Sequence, residues 1–120
     1  MELRKVYYLG TCDTCKKIFR ELGLEKESGK FFDLKKSMPD EKEIANWFEL
    51  SGQDAQDFIN KRSQQLKGKG IEFEKLNDNQ IIELIKSHYS ILARPVFIFE
   101  DDVLAGNSKS IIEKVKEKLG

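Results

Sequence analysis

The sequence predicts one α/β domain with a mixed four-stranded sheet, built from a βαβ unit, an inserted helical lobe and a ββα unit. Three observations lead to this prediction. An apolar run, a segment with helical spacing and a second apolar run follow one another over about 30 residues, as in a βαβ unit. The middle of the chain has helical periodicity. Near the end, two short apolar runs flank a polar turn and precede another helix.

The first unit begins with a nearly continuous apolar run at 3–9, which is typical of a strand covered on both faces. A helix is predicted after it, because its apolar positions share one helical face. These positions are Cys15, Ile18, Phe19 and Leu22. Gly23 offers a helix stop, and the run 31–34 reads as a second strand. A strand, a helix and a strand in this order form a parallel pair with a right-handed crossover.

The central region from 37 to 90 is predicted to be a helical lobe. Pro39 suits the first turn of a helix whose inner face carries Ile44, Trp47 and Phe48. The polar stretch from 52 to 70 is predicted to be helical in its first part. A further helix carries five apolar or aromatic residues, which are Ile81, Ile82, Leu84, Ile85 and Tyr89.

The last unit contains a hairpin and a helix. The strands 96–99 and 103–105 flank the polar turn 100–102. Ser110 and Glu113 have the spacing of a capping box, which predicts the start of the final helix. The predicted organisation is therefore residues 1–36 and 91–120 as two halves of one compact sheet domain, with the lobe 37–90 inserted between them.

Composition limits the possible functions. The 120 residues include 21 basic and 21 acidic side chains, so the net charge is zero and strong direct DNA binding is not expected. The first apolar run is too short for a signal peptide or a membrane span. We therefore expect a cytoplasmic protein without a membrane association, and a monomer is the default expectation. In that compartment a pair of cysteines is reactive or metal-bound more often than structural.

Cys12-Asp13-Thr14-Cys15 contains the two cysteines of the chain and lies between the first strand and the first helix. Unpaired backbone N–H groups at the start of a helix favour a thiolate, which predicts a reactive Cys12. Cys15 belongs to the apolar stripe and should be more buried. Two thiols at this spacing can close a disulfide across one helical turn, so redox chemistry is the leading hypothesis.

The predicted order of elements is that of a thioredoxin-like fold, and three motifs resemble the ArsC/Spx family over essentially the whole chain. The motifs are Tyr8-x-x-x-Cys12-Asp13-Thr14-Cys15-Lys16-Lys17, Asn60-Lys61-Arg62-Ser63 and Arg94-Pro95-Val96. The family includes arsenate reductases, related thiol reductases and Spx-type redox regulators. The second cysteine is similar to that of Spx-type regulators, whereas the residues around it resemble the reductase branch.

The resemblance implies roles for six residues. Cys12 is the nucleophile, and Cys15 or an external thiol resolves the intermediate. Arg62 and Arg94 bind the anionic substrate, a small oxyanion or a thiol or disulfide, and Pro95 is expected to be cis beside the cysteine. The third arginine of ArsC reductases has no counterpart here, where Asn107, Ser108 and Lys109 occur, so Lys109 is the candidate for the missing charge.

The leading prediction is a cytosolic thiol-dependent oxidoreductase of the arsenate reductase-related type. It needs no bound cofactor, and glutathione with glutaredoxin, or thioredoxin, is the expected electron donor. The alternative is a Spx-like redox-sensing regulator that binds the C-terminal domain of the RNA polymerase α subunit, with Gly52 available for the contact. A metal site is not predicted, because one pair of cysteines and the single His88 do not supply a usual zinc ligand set.

Overall fold

The computed structural model describes residues 2–24 and 29–120, and within these ranges it contains one four-stranded sheet. The strands are β1 (Leu3–Tyr8), β2 (Phe31–Asp33), β3 (Val96–Phe99) and β4 (Val103–Ala105). Their spatial order is β2-β1-β3-β4. β1 pairs with β2 in parallel, whereas β3 pairs with both β1 and β4 in antiparallel fashion. The predicted mixed sheet is therefore confirmed.

Four α-helices accompany the sheet in the described ranges: α1 (Asp13–Leu22), α2 (Glu41–Leu50), α3 (Asp78–Ser87) and α4 (Lys109–Leu119). Adjacent residues of a strand point to opposite faces of the sheet, so Val6 and Tyr7 of β1 enter two different hydrophobic clusters. The cluster of Val6 contains the inner faces of α1 and α4. The cluster of Tyr7 contains those of α2 and α3. The sheet is thus covered on both sides, as the continuous apolar pattern of β1 predicts.

The lobe contains less α-helix than the sequence predicts. The stretch from 52 to 70 forms two short 3₁₀ turns, Ala55–Phe58 and Gln64–Leu66, instead of an α-helix. The first turn ends because Ile59 is extended and forms an isolated β-bridge with Leu92. A third 3₁₀ turn covers Phe73–Lys75. Tyr89 lies outside α3, in a separate 3₁₀ turn at Tyr89–Ile91.

Two predicted helix starts are wrong by one or two residues. Asp40 caps α2 by accepting a hydrogen bond from the backbone N–H of Glu43 at 2.8 Å, so Pro39 precedes the cap and lies outside the first turn. Ser108, not Ser110, caps α4, because its hydroxyl accepts from the backbone N–H of Ile111 at 3.3 Å. A capping residue needs an extended backbone, and several nearby polar residues offer a suitable side chain.

Backbone and amide hydrogen bonds hold the lobe against the sheet. The N–H of Ala93 donates to the carbonyl of Phe58 at 2.7 Å. Gln53 holds the edge strand β4 with both ends of its amide: Nε2 donates to the carbonyl of Ala105 at 3.1 Å, and Oε1 accepts from the N–H of Ala105 at 2.8 Å. The lobe boundaries at residues 37 and 90 stay a prediction. None of the helices in the described part of the chain is long and apolar enough to cross a membrane.

Candidate active site

The N-terminus of α1, the lobe and the loop between β4 and α4 enclose a cleft of about 860 Å³. Three of the residues predicted for the site, Cys12, Arg62 and Arg94, line this cleft together. Pro95 and Lys109 are not among its lining residues. The cleft therefore unites a thiol and two guanidinium groups that are far apart in the chain.

Cys12 occupies the N-cap position of α1, with an extended backbone at φ −89° and ψ 108°. Its N–H donates to the carbonyl of Leu9 at 2.9 Å, which closes the turn that follows β1. Its side chain is half-buried in the cleft wall. The thiol therefore lies at the positive end of the helix dipole while it stays accessible.

The pKa of Cys12 is lowered from its ordinary value by its neighbours. Partial burial by itself would raise this pKa, because desolvation disfavours the thiolate. Hydrogen bonds from the backbone N–H and the thiol of Cys15 outweigh that effect, together with the charge and a hydrogen bond of Arg94. The thiolate, which is the nucleophilic form of cysteine, is thus favoured at this position.

Cys15 has the opposite character. It is fully buried in the cluster formed by α1, α4 and the sheet. Burial raises the pKa of the Cys15 thiol to about 12, and its hydrogen bond to Cys12 and the charge there contribute to the increase. Cys15 therefore remains a protonated donor beside Cys12. Both cysteines are free thiols in this structure.

Two backbone carbonyls hold the guanidinium of Arg94 in place. Its Nη1 donates to the carbonyls of Ser90 at 3.1 Å and of Leu92 at 3.3 Å. Its Nε is buried and has no hydrogen-bond partner among the described residues. A buried donor without a partner is costly, and a negative charge on Cys12 offsets part of that cost through space.

The peptide bond between Arg94 and Pro95 is cis, as expected from the resemblance. The carbonyls of these two residues receive hydrogen bonds from the loop after β4. Asn107 Nδ2 donates to the carbonyl of Arg94 at 3.4 Å, and the N–H of Gly106 donates to the carbonyl of Pro95 at 2.9 Å. This loop, which also lines the cleft, is thereby fastened to the segment that carries Arg94.

Arg62 lies on the lobe side of the cleft and is exposed. Its backbone N–H donates to Asn60 Oδ1 at 3.3 Å, and Asn60 Nδ2 donates to the carbonyl of Ser90 at 3.2 Å. The backbone of Arg62 is therefore tied to the segment that orients Arg94. The side chain of Arg62 therefore extends from a backbone segment that is held in place, and the planar donors of its guanidinium suit a carboxylate or an oxyanion.

Lys114 of α4 lines the cleft and is not among the residues predicted for the site. Lys109 lies five residues earlier, which is about 140° away around a helix that turns 3.6 residues per turn. The two lysines therefore cannot face the same way. Ser110 and Ile111, which precede Lys114 by four and three residues, also line the cleft. This i, i+3, i+4 spacing is the signal that identifies Lys114.

The cleft also contains two exposed acidic residues that the sequence analysis did not select, Asp54 and Asp57. They lie on the lobe wall of the cleft. Their carboxylates make the lining of the cleft mixed in charge instead of uniformly basic. We expect these two carboxylates to weaken the attraction between the cleft and a small anion, because like charges repel at short range.

The described residues contain no group of three or more His, Cys, Asp or Glu side chains that could hold a metal ion. His88 lies in the lobe, where its ring stacks on Tyr89 with 4.3 Å between the ring centroids. Its Nδ1 accepts a hydrogen bond from the backbone N–H of Ser90 at 3.1 Å. The ring thus has a local partner in the lobe, and it is not one of the residues that line the cleft.

The fold and the cleft together define a class: a thioredoxin-like protein with an accessible thiol at the start of its first helix, beside a fixed guanidinium. The ArsC family model matches residues 7–115, and the chain belongs to that family. No protein with a curated description matches the chain in sequence.

Solved structures share the fold over nearly the whole chain. A Bacteroides fragilis protein described as ArsC family related is 23% identical, with a TM-score of 0.72 over 96% of this chain and 98% of its own. An arsenate reductase from Vibrio cholerae is 14% identical, with a TM-score of 0.71 over 94% of both chains. An arsenate reductase (ArsC) related protein from Brucella melitensis is 20% identical, with a TM-score of 0.66 over 95% of this chain and 93% of its own. These similarities show the fold.

Proposed function

We propose that this chain is a thiol-dependent oxidoreductase of the arsenate reductase-related type, with Cys12 as its nucleophile. The observation that carries the proposal is the position of Cys12, whose pKa is lowered and whose half-buried thiol faces the same cleft as Arg62 and Arg94. Membership of the ArsC family supports the same class of chemistry.

With a disulfide substrate the proposed reaction has two exchange steps. The Cys12 thiolate attacks one sulfur of the substrate, so a mixed disulfide forms and the other sulfur leaves as a thiolate. Cys15 then loses its proton and attacks the Cys12 sulfur, which forms the internal disulfide and releases the second thiolate. An external reductant, glutathione with glutaredoxin or thioredoxin, returns two electrons to the Cys12–Cys15 disulfide.

The high pKa of Cys15 bears on the second step. Since its thiol must be deprotonated before it attacks, burial slows this route at neutral pH. Once Cys12 is in a mixed disulfide, its negative charge is gone, and that contribution to the high pKa of Cys15 is removed as well. An external thiol that attacks the Cys12 mixed disulfide directly is the competing route, and product analysis separates the two.

The two arginines are proposed to bind and stabilise the negative charge. Arg94 is fixed beside Cys12, so it stabilises the attacking thiolate and the charge that develops on the substrate. Arg62 lies on the lobe side and is exposed, and its guanidinium suits a carboxylate or an oxyanion on the far part of the substrate. Lys114 supplies a further positive charge from α4.

Arsenate is one candidate acceptor among the oxyanions. The Cys12 thiolate would form a sulfur–arsenic bond and expel water, and a second thiol attacking Cys12 would break that bond and leave its electron pair on the arsenic. The cleft offers two arginines for this dianion, and its two lysines, Lys61 and Lys114, bind as point charges and not as planar forks. We therefore propose that disulfides are the better acceptors.

A reduction assay tests the proposal. The protein is incubated with glutathione and glutaredoxin, or with thioredoxin and its reductase, and either arsenate or a low-molecular-weight disulfide is the acceptor. We expect Cys12→Ser to abolish turnover and Cys15→Ser to accumulate a mixed disulfide on Cys12 that mass spectrometry detects. Thr14→Ser, a cleft-lining neighbour without a thiol, serves as the matched control and should keep its activity. Parent-like turnover by Cys12→Ser would refute the assignment.

The contact between the two thiols also favours a second candidate, the Spx-like redox sensor. An oxidised Cys12 lies next to the Cys15 thiol, so it has a resolving partner for an internal disulfide. In that case the oxidised and reduced forms should bind a purified RNA polymerase α C-terminal domain with different affinities. If both redox states bind this domain equally, or do not bind it, and the protein turns over in the reduction assay, the enzyme is favoured over the redox sensor.

A further inference from the structure

Ser90 lies directly behind the cleft, in the 3₁₀ turn that precedes the Arg94 segment. Its carbonyl oxygen accepts two hydrogen bonds, from Arg94 Nη1 at 3.1 Å and from Asn60 Nδ2 at 3.2 Å. Asn60 in turn accepts from the backbone N–H of Arg62 at 3.3 Å. One carbonyl group thus joins the two segments that present guanidinium groups to the cleft.

The side chain of Ser90 fixes the orientation of that carbonyl. Its hydroxyl lies 2.7 Å from the hydroxyl of Ser63 and 2.8 Å from Nδ1 of His88. The backbone N–H of Ser90 also donates to the same Nδ1 at 3.1 Å. Ser63 is only 4% exposed, so its hydroxyl is shielded from water, and Ser90 and His88 are half-buried.

The direction of the hydrogen bonds follows from the donors present. Because Nδ1 of His88 accepts from a backbone N–H, it acts as an acceptor, and the hydroxyl of Ser90 must donate to it. The hydroxyl of Ser63 then donates to Ser90. Each of these hydrogen bonds then has one direction, which favours a single arrangement of the segment.

We propose that Ser90 is a positioning residue for the cleft, whose hydroxyl, held between Ser63 and His88, orients the carbonyl that keeps the Arg94 guanidinium beside Cys12. The proposal rests on the proposed function in so far as Cys12 is the reacting thiol. Its test requires no substrate, so the two are judged separately.

The effect of Ser90 on Cys12 depends on the distance between the Arg94 guanidinium and the Cys12 sulfur. Arginine has a long side chain with many rotamers, and its position beside Cys12 depends on the carbonyls of Ser90 and Leu92. Without the hydroxyl of Ser90, this turn loses its link to Ser63 and one of its links to His88. The guanidinium then samples positions farther from Cys12, and its attraction for the thiolate decreases with that distance.

The experiment compares Ser90→Ala with Ser87→Ala. Ser87 is a matched control, because its hydroxyl also makes a hydrogen bond, to the carbonyl of Leu84 at 2.6 Å, but it is exposed at the end of α3. Iodoacetamide alkylation of Cys12 is measured as a function of pH, and fragmentation mass spectrometry assigns the label to Cys12 or Cys15. For Ser90→Ala we expect the profile to move to higher pH, with the rate below the pKa reduced about threefold to tenfold, since one pKa unit changes the thiolate fraction about tenfold.

A double-mutant cycle shows whether the effect passes through Arg94. In an Arg94→Ala background, Ser90→Ala should cause no further shift of the Cys12 profile. If Ser90→Ala lowers the melting temperature but leaves the Cys12 profile unchanged, Ser90 is merely structural and the proposal is overturned. An equal shift with and without Arg94 also overturns it.

A second pair of variants at His88 gives an answer if Ser90→Ala does not fold. Asparagine retains a side-chain acceptor for the backbone N–H at a capping position, whereas alanine does not. His88→Asn should therefore keep the parent profile, and His88→Ala should shift it in the same direction as Ser90→Ala. Equal profiles for the two His88 variants contradict the proposal. A shift seen in a protein that reduces no acceptor would refute the proposed function and leave the role of Ser90 intact.

Discussion

The thiols of Cys12 and Cys15 interact across the first turn of α1, and their contact moves the pKa values of the two cysteines in opposite directions. The same contact stabilises a charge on Cys12 and holds the proton on Cys15. Burial separates them further, since Cys15 is 0% exposed while Cys12 borders the cleft. Two identical side chains three positions apart therefore acquire different chemistry.

The pH dependence of alkylation should separate the two cysteines. Because the thiolate is the reactive form, a lowered pKa moves the profile of Cys12 to lower pH than that of an unperturbed thiol. The pKa of about 12 for Cys15 moves its profile far to higher pH. We expect a single label at neutral pH, on Cys12, detected by fragmentation mass spectrometry. Preferential labelling of Cys15 would contradict this assignment.

Replacing Cys15 tests the hydrogen bond between the thiols. Cys15→Ala removes the side-chain donor and should move the alkylation profile of Cys12 to higher pH. Cys15→Ser retains a donor of similar size and should shift the profile less. Both variants keep the backbone N–H of Cys15, so a smaller residual depression of the Cys12 pKa is expected in each. Identical profiles for the two variants would show that the side-chain hydrogen bond has no effect.

Loss of the Arg94 charge should make Cys12 less acidic. In Arg94→Met we expect the alkylation rate of Cys12 below its pKa to fall about threefold to tenfold, because each pKa unit changes the thiolate fraction about tenfold. Arg94→Lys keeps the charge without the planar donors and should give an intermediate rate. Arg4→Met is the control, because Arg4 is exposed and pairs with Glu100 on the sheet. A parent-like rate in Arg94→Met would remove Arg94 from the site.

Lys109 and Lys114, two of the four lysines of α4, should differ in their effect on substrate binding. Lys114 lines the cleft and Lys109 does not, so Lys114→Met should raise KM for an anionic acceptor while Lys109→Met should not. We expect a rise of about 1.4-fold to fivefold, since exposed ion pairs contribute about 0.2–1 kcal/mol. The difference should shrink at high ionic strength, where charges are screened. If Lys109→Met has the larger effect, the original sequence prediction is the better one.

Gln53 should stabilise the edge of the sheet. Its amide donates to and accepts from the backbone of Ala105, a residue that is 2% exposed. Gln53→Ala leaves both backbone groups without these partners, and we expect a loss of about 1–3 kcal/mol in the free energy of unfolding. Urea denaturation measures it, with the exposed Gln64→Ala as control. Equal midpoints for the two variants would show that the contact does not contribute.

Much of the fold was predictable because it depends on local patterns. The alternation between apolar runs and helical spacing identified β1, α1 and the final hairpin, and Gly23 ends α1 in the left-handed conformation at φ 69°. Helix starts were less accurate, as Ser108 and Asp40 show. A cap depends on the backbone conformation of one residue, and neighbouring polar residues compete for that position.

The sequence by itself determined the four strands, the four α-helices and that Cys12 follows the first strand, because periodicity and turn residues act over a few positions. Only the tertiary structure decided the chemistry of the site. Desolvation and charge act through space and depend on the folded chain. Three properties therefore appear only after folding: Cys15 is buried, Arg94 lies beside Cys12, and Lys114 faces the cleft. The amide of Gln53 reaches Ala105 across 52 positions of the chain, which no local pattern reports.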